Sequence, residues 1–188
     1  MTDVEKTPVN IVQIMGFAST SNYLSNANNI ANRLASIYGG IVHNLNAPLF
    51  VPDEYVKKEL MKDPLISKSM SLAANADIIL TSIGTLNTVT ESNPWLGYLT
   101  KDMFKEIREQ GAVGCIGARF FDKDGNGLNN FWNCHCIGIE LKDIKKIKNV
   151  VVVASGEYKA EALLGAIKGG YVDVLITDSG TAEKMLEL

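Results

Sequence analysis

No apolar run in the 188-residue sequence approaches the ~18 residues that a membrane-spanning helix requires. The opening residues, Met1-Thr2-Asp3-Val4-Glu5-Lys6, lack the basic, then apolar, then small-residue progression of a secretion signal. A cytoplasmic protein with no membrane partner is therefore expected. Positive charge is also scarce. With 18 Lys and Arg against 21 Asp and Glu, and a formal net charge of −3, the chain has no electrostatic footprint that could hold a DNA backbone on its own. The only histidines, His43 and His135, lie in apolar β-rich runs, and no nucleophilic triad emerges. The three cysteines cannot all pair internally, and Cys134 and Cys136 are too close in sequence for an unstrained mutual disulfide. Their spacing also misses the common zinc patterns. Neither a Walker-type loop nor a Rossmann glycine fingerprint is present, so no metal and no cofactor are expected.

The sequence does contain a regular alternation of two kinds of segment. Apolar β-rich runs at Asn10 to Met15, Ile41 to Leu45, Asp77 to Ile83, Ala112 to Ile116, Cys136 to Leu141, Val150 to Ala154 and Val172 to Thr177 read as strands. Val150-Val151-Val152-Val153 and Ile78-Ile79-Leu80 are continuous rather than alternating, the pattern of strands covered by helices on both faces. Between them, Ala27, Ile30, Ala31, Leu34 and Ile37 form a helical stripe closed by Gly39-Gly40. Ser25 or Asn26 can cap its start. Further helices fit Asp53 to Met61, Pro64 to Asn75, Lys101 to Gln110, Glu157 to Lys168 and Thr181 to Leu186. The alternation predicts one layered α/β domain over residues 1–188, with a mainly parallel sheet between helices. Phe121 to Gly127 carries two glycines and two aspartates; it lacks the acidic residue that closes a calcium loop, and it reads as a hairpin turn.

In open α/β sheets ligands sit beyond the carboxyl ends of the strands, where helix N-termini present unpaired amides. That rule selects four loops. The first, Gly16-Phe17 onward, leads to Asn26, Asn28 and Asn29, whose amides can serve either a polyhydroxyl ligand or the helix start. The second holds Gly84 and Thr85, a glycine for close approach and a hydroxyl. The third runs from Gly111 through Cys115 to Arg119 and Phe120; its arginine reads either as an anion clamp or as a surface ion-pair partner. The fourth is the strongest. Val150 to Ala154 is followed by Ser155-Gly156-Glu157-Tyr158-Lys159 and then a helix, so an ammonium and helix amides can converge on one phosphate.

At these loops the sequence resembles the sugar-binding (effector) domain of SorC/DeoR-type bacterial transcription regulators. The matching stretches include Asn26 to Ala35, Leu45 to Val51, Ala76 to Gly84, Gly111 to Gly114, Arg119 to Asp122, Ser155 to Ala162 and Val174 to Asp178, in order over nearly the whole chain. The resemblance implies a fold similar to that of ribose-phosphate isomerase and glucosamine-phosphate deaminase, retained for sensing a phosphorylated sugar. It also implies a homo-oligomer, dimer or tetramer, that reaches DNA only through a domain absent from this chain. Carried over by position, Asn26 matches a polar ligand contact and Lys159 a phosphate-holding lysine. Gly16, Phe17, Asn29, Gly84, Thr85, Cys115, Phe120 and Gly156 complete the expected ligand site.

Two departures accompany the resemblance. Cys115 stands where the family usually places Asp or Glu, and the family normally has a DNA-binding module, then a helix, a strand and a glycine-rich loop ahead of the first strand seen here. The chain is therefore expected to be a fragment. The alternative from another class is a sugar-phosphate isomerase or deaminase of the same fold, which would need a carboxylate or histidine base in the cavity. A further variant has Lys159 forming a Schiff base with an aldehyde sugar.

Overall fold

The computed structural model describes residues 6–17, 27–86 and 99–188. Eight strands and eight α-helices are found among them: β1 Asn10–Val12, α1 Ala27–Tyr38, β2 Ile41–His43, α2 Glu54–Leu60, α3 Pro64–Ala74, β3 Ile79–Thr81, β4 Gly84–Thr85, α4 Lys101–Glu109, β5 Ala112–Ile116, β6 Arg119–Asp122, α5 Phe131–His135, α6 Leu141–Ile144, β7 Val150–Val153, α7 Ala160–Lys168, β8 Val174–Ile176 and α8 Ser179–Glu187. They form a mixed α/β domain in which β1 and β2 pair in parallel and β3, β7 and β8 form a second parallel sheet with β7 at its centre. A third sheet, β4–β5–β6, is antiparallel. Only Ser82 and Ile83 separate β3 from β4, so the chain leaves the parallel layer and enters the antiparallel one almost at once.

Local chemistry explains the helix limits. Asp53 accepts from the Val56 amide at 2.8 Å, Asp63 from Leu65 and Ile66 at 2.8 and 3.1 Å, and Thr100 from Met103 at 3.3 Å, each satisfying amides that a helix start leaves open. Helix α1 ends where Gly39 turns to φ +72° and the Gly40 amide donates back to Ala35 O at 2.9 Å. The expected helix from Glu157 is in fact a single 3-10 turn, Glu157–Lys159, followed by α7.

The main core lies between one face of β3–β7 and α7, with Ile79, Val150, Val152, Leu163 and Ala166 packed together. A second cluster surrounds Phe120, Phe104 and Ile107 on the antiparallel sheet, and a third joins Leu45, Val51 and Ile66 to Ile137. Each fully buried aliphatic or aromatic side chain there contributes roughly 1.5–3 kcal/mol.

Val150 to Val153 is not covered on both faces: Leu80, Val153, Val174 and Ile176 on the opposite face are 63, 47, 46 and 53% exposed. Among the described residues no helix shields them; α7 and α8 both pack against the core on the other side.

Nor is Cys136 to Leu141 a strand. It runs as irregular chain from α5 to α6, touching its neighbours only through isolated bridges, Phe50 to Cys136 and Met15 to Gly138. His135, placed in a strand by the sequence pattern, ends α5 instead. The cause is Arg119. Its guanidinium donates to Ile139 O at 3.2 Å, Gly138 O at 3.0 Å, Cys136 O at 3.3 Å and Asn133 O, and to Glu140 Oε1 at 2.7 Å. A side chain thus satisfies carbonyls that a neighbouring strand would otherwise have to meet. Arg119 is 2% exposed and its donors are taken by these carbonyls and by Glu140, so it is a buried ion-pair partner and neither an anion clamp nor a surface one.

Candidate functional site

A cavity of about 750 Å³ opens where β1, β3, β4 and β5 converge with the 3-10 turn before α7. It brings together Gly84, Thr85, Cys115 and Lys159, drawn from three of the four loops selected by the sequence. Lys159 is half-buried, and it stands at the N-cap position of α7, where no side chain caps the helix. Its charge is close enough to Cys115 to be felt by that thiol. Burial dominates there, however, and pushes the Cys115 thiol up to about 12, with smaller opposing contributions from the Gly84 amide and Lys159. Cys115 is accordingly a neutral group in the wall, a weak donor and acceptor.

Gly84 pairs with Cys115 across β4 and β5, and a Cβ at Gly84 would lie 2.6 Å from Cys115 Sγ. Glycine is what admits the sulfur to the cavity wall. Thr85 Oγ1 donates to Tyr158 O at 3.4 Å, tying β4 to the loop that carries Lys159.

That loop is held from behind. Gly156 adopts φ +109°, a conformation glycine tolerates. Its amide donates to Thr181 Oγ1 at 2.7 Å and to Asp178 Oδ2 at 3.0 Å. Thr181 donates in turn to Asp178 from its hydroxyl at 2.6 Å and from its amide at 2.8 Å. Those bonds, the Thr181 hydroxyl first, hold the Asp178 carboxyl down to about 2. Gly156 therefore shapes the site without lining the cavity.

The remaining expected residues separate. Asn26 lies outside the described residues. Phe17 lines a smaller neighbouring cavity of about 390 Å³ together with Gln13, Asn28 and Asn46. Gly16 is buried below it, where a Cβ would meet Pro48 O at 2.5 Å. Asn29 is half-buried on α1 and lines neither cavity, and Phe120 is wholly buried in the core. The sequence reading missed Gln13, which lines both cavities, donates to Asn28 Oδ1 and accepts from the Leu45 amide at 3.0 Å. A polar residue inside the apolar run Asn10 to Met15 was the available signal. Tyr158, also on the wall of the larger cavity, had no distinguishing pattern.

An α/β domain with a cavity of this kind, mainly apolar in its wall with a few amides, hydroxyls and one lysine among them, belongs to the class that binds small molecules. The comparisons narrow the class. The chain belongs to the family described as "Putative sugar-binding domain", which matches residues 1–187. It is 30% identical over 178 residues to the deoxyribonucleoside regulator of Bacillus subtilis, covering 95% of this chain and 56% of that protein. It is also 30% identical over 183 residues to the transcriptional regulator YjhU of Escherichia coli, covering 95% and 54%. Among solved structures, a DeoR family transcriptional regulator from Listeria monocytogenes superimposes with a TM-score of 0.85 at 27% identity, covering 96% of this chain and 72% of that one. The full-length sorbitol operon regulator SorC of Klebsiella pneumoniae shares the fold, with a TM-score of 0.89 at 22% identity over 97% and 60%. The chain is a sugar-binding domain of the kind found in transcriptional regulators, and it spans about half the length of the curated relatives it matches. No helix among the described residues is long and apolar enough to cross a membrane.

Proposed function

We propose that this domain binds a phosphorylated sugar as the effector of a DNA-binding regulator, with the phosphate at Lys159 and the start of α7. The sugar hydroxyls would meet Thr85 and Gln13, with Asn28 reached through the smaller cavity that Gln13 also lines, and Asn26 would add the polar contact that the family resemblance implies. The observation that carries the reading is the half-buried Lys159 on the cavity wall, at the turn that leads into α7, where its ammonium can meet an anion. Binding is favoured over turnover because the described wall of the larger cavity contains no carboxylate or histidine and Cys115 is held neutral, leaving no base for isomerisation. The fold is taken to be of the ribose-phosphate isomerase type, the protein a cytoplasmic homo-oligomer, and its DNA contacts the work of polypeptide outside this chain. Effector binding would alter DNA affinity only through a differential affinity for two states of the assembly.

Calorimetry against ribose 5-phosphate, glucosamine 6-phosphate and the free sugars tests the reading. Saturable heat is expected with a phosphosugar, and Lys159→Ala should weaken it by at least ~1.5 kcal/mol, about tenfold. Absence of heat with every phosphosugar, or affinity unchanged in Lys159→Ala, overturns it.

A further inference from the structure

The corner of the larger cavity at Cys115 is apolar. Cys115 lines it together with Gly84, Gly117 and Ala118, two glycines and a residue that ends in a methyl. Ile14 closes the same corner, its Cδ1 3.7 Å from where a Cβ at Gly117 would stand. The sulfur is already engaged, because the Gly84 amide donates to it. A neutral thiol offers a further partner only a weak donor and a weak acceptor.

Ala118 makes the same point through its backbone. It occupies the two-residue turn between β5 and β6 at φ +68°, next to Gly117 at φ +54°. A tight hairpin turn with positive φ at both places favours Asn, Asp or Gly, and alanine is held there against its own preference. The chain thus keeps a methyl in the cavity wall where an amide side chain would suit the backbone better. Polar groups flank this corner: Lys159 stands close enough for its charge to be felt at the thiol, and Thr85 follows Gly84 in β4.

We propose that the ligand is a deoxy sugar phosphate, held with a methylene or methyl of the sugar against Cys115, Gly84 and Ala118 and with its phosphate at Lys159. The proposal rests on the reading of Lys159 as the phosphate site. A hydroxyl on the same carbon would leave water and meet the alanine methyl and a sulfur that already accepts from Gly84. An apolar wall of this kind discriminates against one added hydroxyl by up to about a hundredfold.

The test is calorimetry of the 188-residue chain with ligands that differ by one hydroxyl. Ribose 5-phosphate is compared with its 2-deoxy and 3-deoxy forms, and glucose 6-phosphate with its 2-, 3- and 4-deoxy forms. At least one deoxy form should bind roughly ten- to a hundredfold more tightly than its parent. Cys115→Ser places a hydroxyl in the wall and should shrink that ratio by roughly three- to tenfold, the worth of one neutral hydrogen bond; Cys115→Ala should leave the ratio in place. The wild-type comparisons carry the test even if the variants do not fold. Parents that bind as tightly as every deoxy form overturn the deoxy assignment and leave the phosphosugar reading standing. A ratio that stays the same in folded Cys115→Ser also overturns it. Absence of heat with all of these phosphosugars removes both readings together.

Discussion

Arg119 lies 2.7 Å from Glu140, and the pair sits beside a segment whose carbonyl oxygens have turned toward the guanidinium instead of toward a strand. Arg119→Met removes the donors and leaves several buried acceptors unmet, at a cost of roughly 3–5 kcal/mol. Arg119→Lys restores the charge without the planar fork and should recover only part of the loss. Urea unfolding midpoints of the three proteins decide the matter; equal midpoints for Met and Arg would show that the carbonyls find water.

Gly84 and Cys115 are coupled by space. Gly84→Ala places a methyl 2.6 Å from the present sulfur position and should destabilise the fold by roughly 1–3 kcal/mol. Combined with Cys115→Ala, the two costs should sum to less than their separate values, because removing the sulfur makes room for the methyl. A double-mutant cycle by thermal denaturation reads the difference; strict additivity would mean that the chain relieves the clash elsewhere.

Asp178 gives the anchor of the Lys159 loop a pH dependence. Its carboxyl lies at about 2 in the folded chain against an ordinary 3.8. A depressed folded value stabilises the native state above the unfolded value, and that contribution is lost as pH falls from about 4 through 2. Asp178→Asn should therefore flatten this part of the acid limb. Chemical denaturation at stepped pH measures it, and an unchanged acid limb in the variant would remove Asp178 from the account.

The thiols should react unequally. Burial pushes Cys115 and Cys136 up to about 12 and about 11, so few thiolates form at pH 8, whereas Cys134 is partly exposed. Ellman's reagent should find one fast thiol in the folded chain and all three in denaturant; three fast thiols in the native protein would contradict the packing.

Much of the fold was legible where side chains act on their own backbone. Asp63 with Pro64, and Thr100, mark the starts of α3 and α4, and Gly39 the end of α1, because caps are local chemistry. Strand lengths were less legible. The run Asn10 to Met15 contributes only Asn10–Val12 to a ladder, since apolar character reports burial and not hydrogen bonding. Cys136 to Leu141 has a strand's composition, and its irregular path depends on an arginine in another part of the sequence. The bare face of β7 was hidden for a related reason: Val150 to Val153 encodes apolar surface on both sides, without the element that covers it.

The candidate site divides in the same way. Lys159 follows the carboxyl end of β7 as the rule for open sheets expects, whereas Gly84 and Thr85, read as a loop, form β4 and Cys115 lies inside β5, so antiparallel pairing brings them to the cavity. The Asp178–Thr181 anchor does not, since it joins the loop after β7 to the helix after β8 through bonds that no spacing announces.

The two-residue link between β3 and β4 has a mechanical consequence. With only Ser82 and Ile83 to take up slack, and Ile83 fully buried, the parallel and antiparallel layers meet at a short, stiff hinge beside the cavity. A tilt of either layer must drag the other, so the cleft cannot widen or narrow without changing the angle between the two sheets.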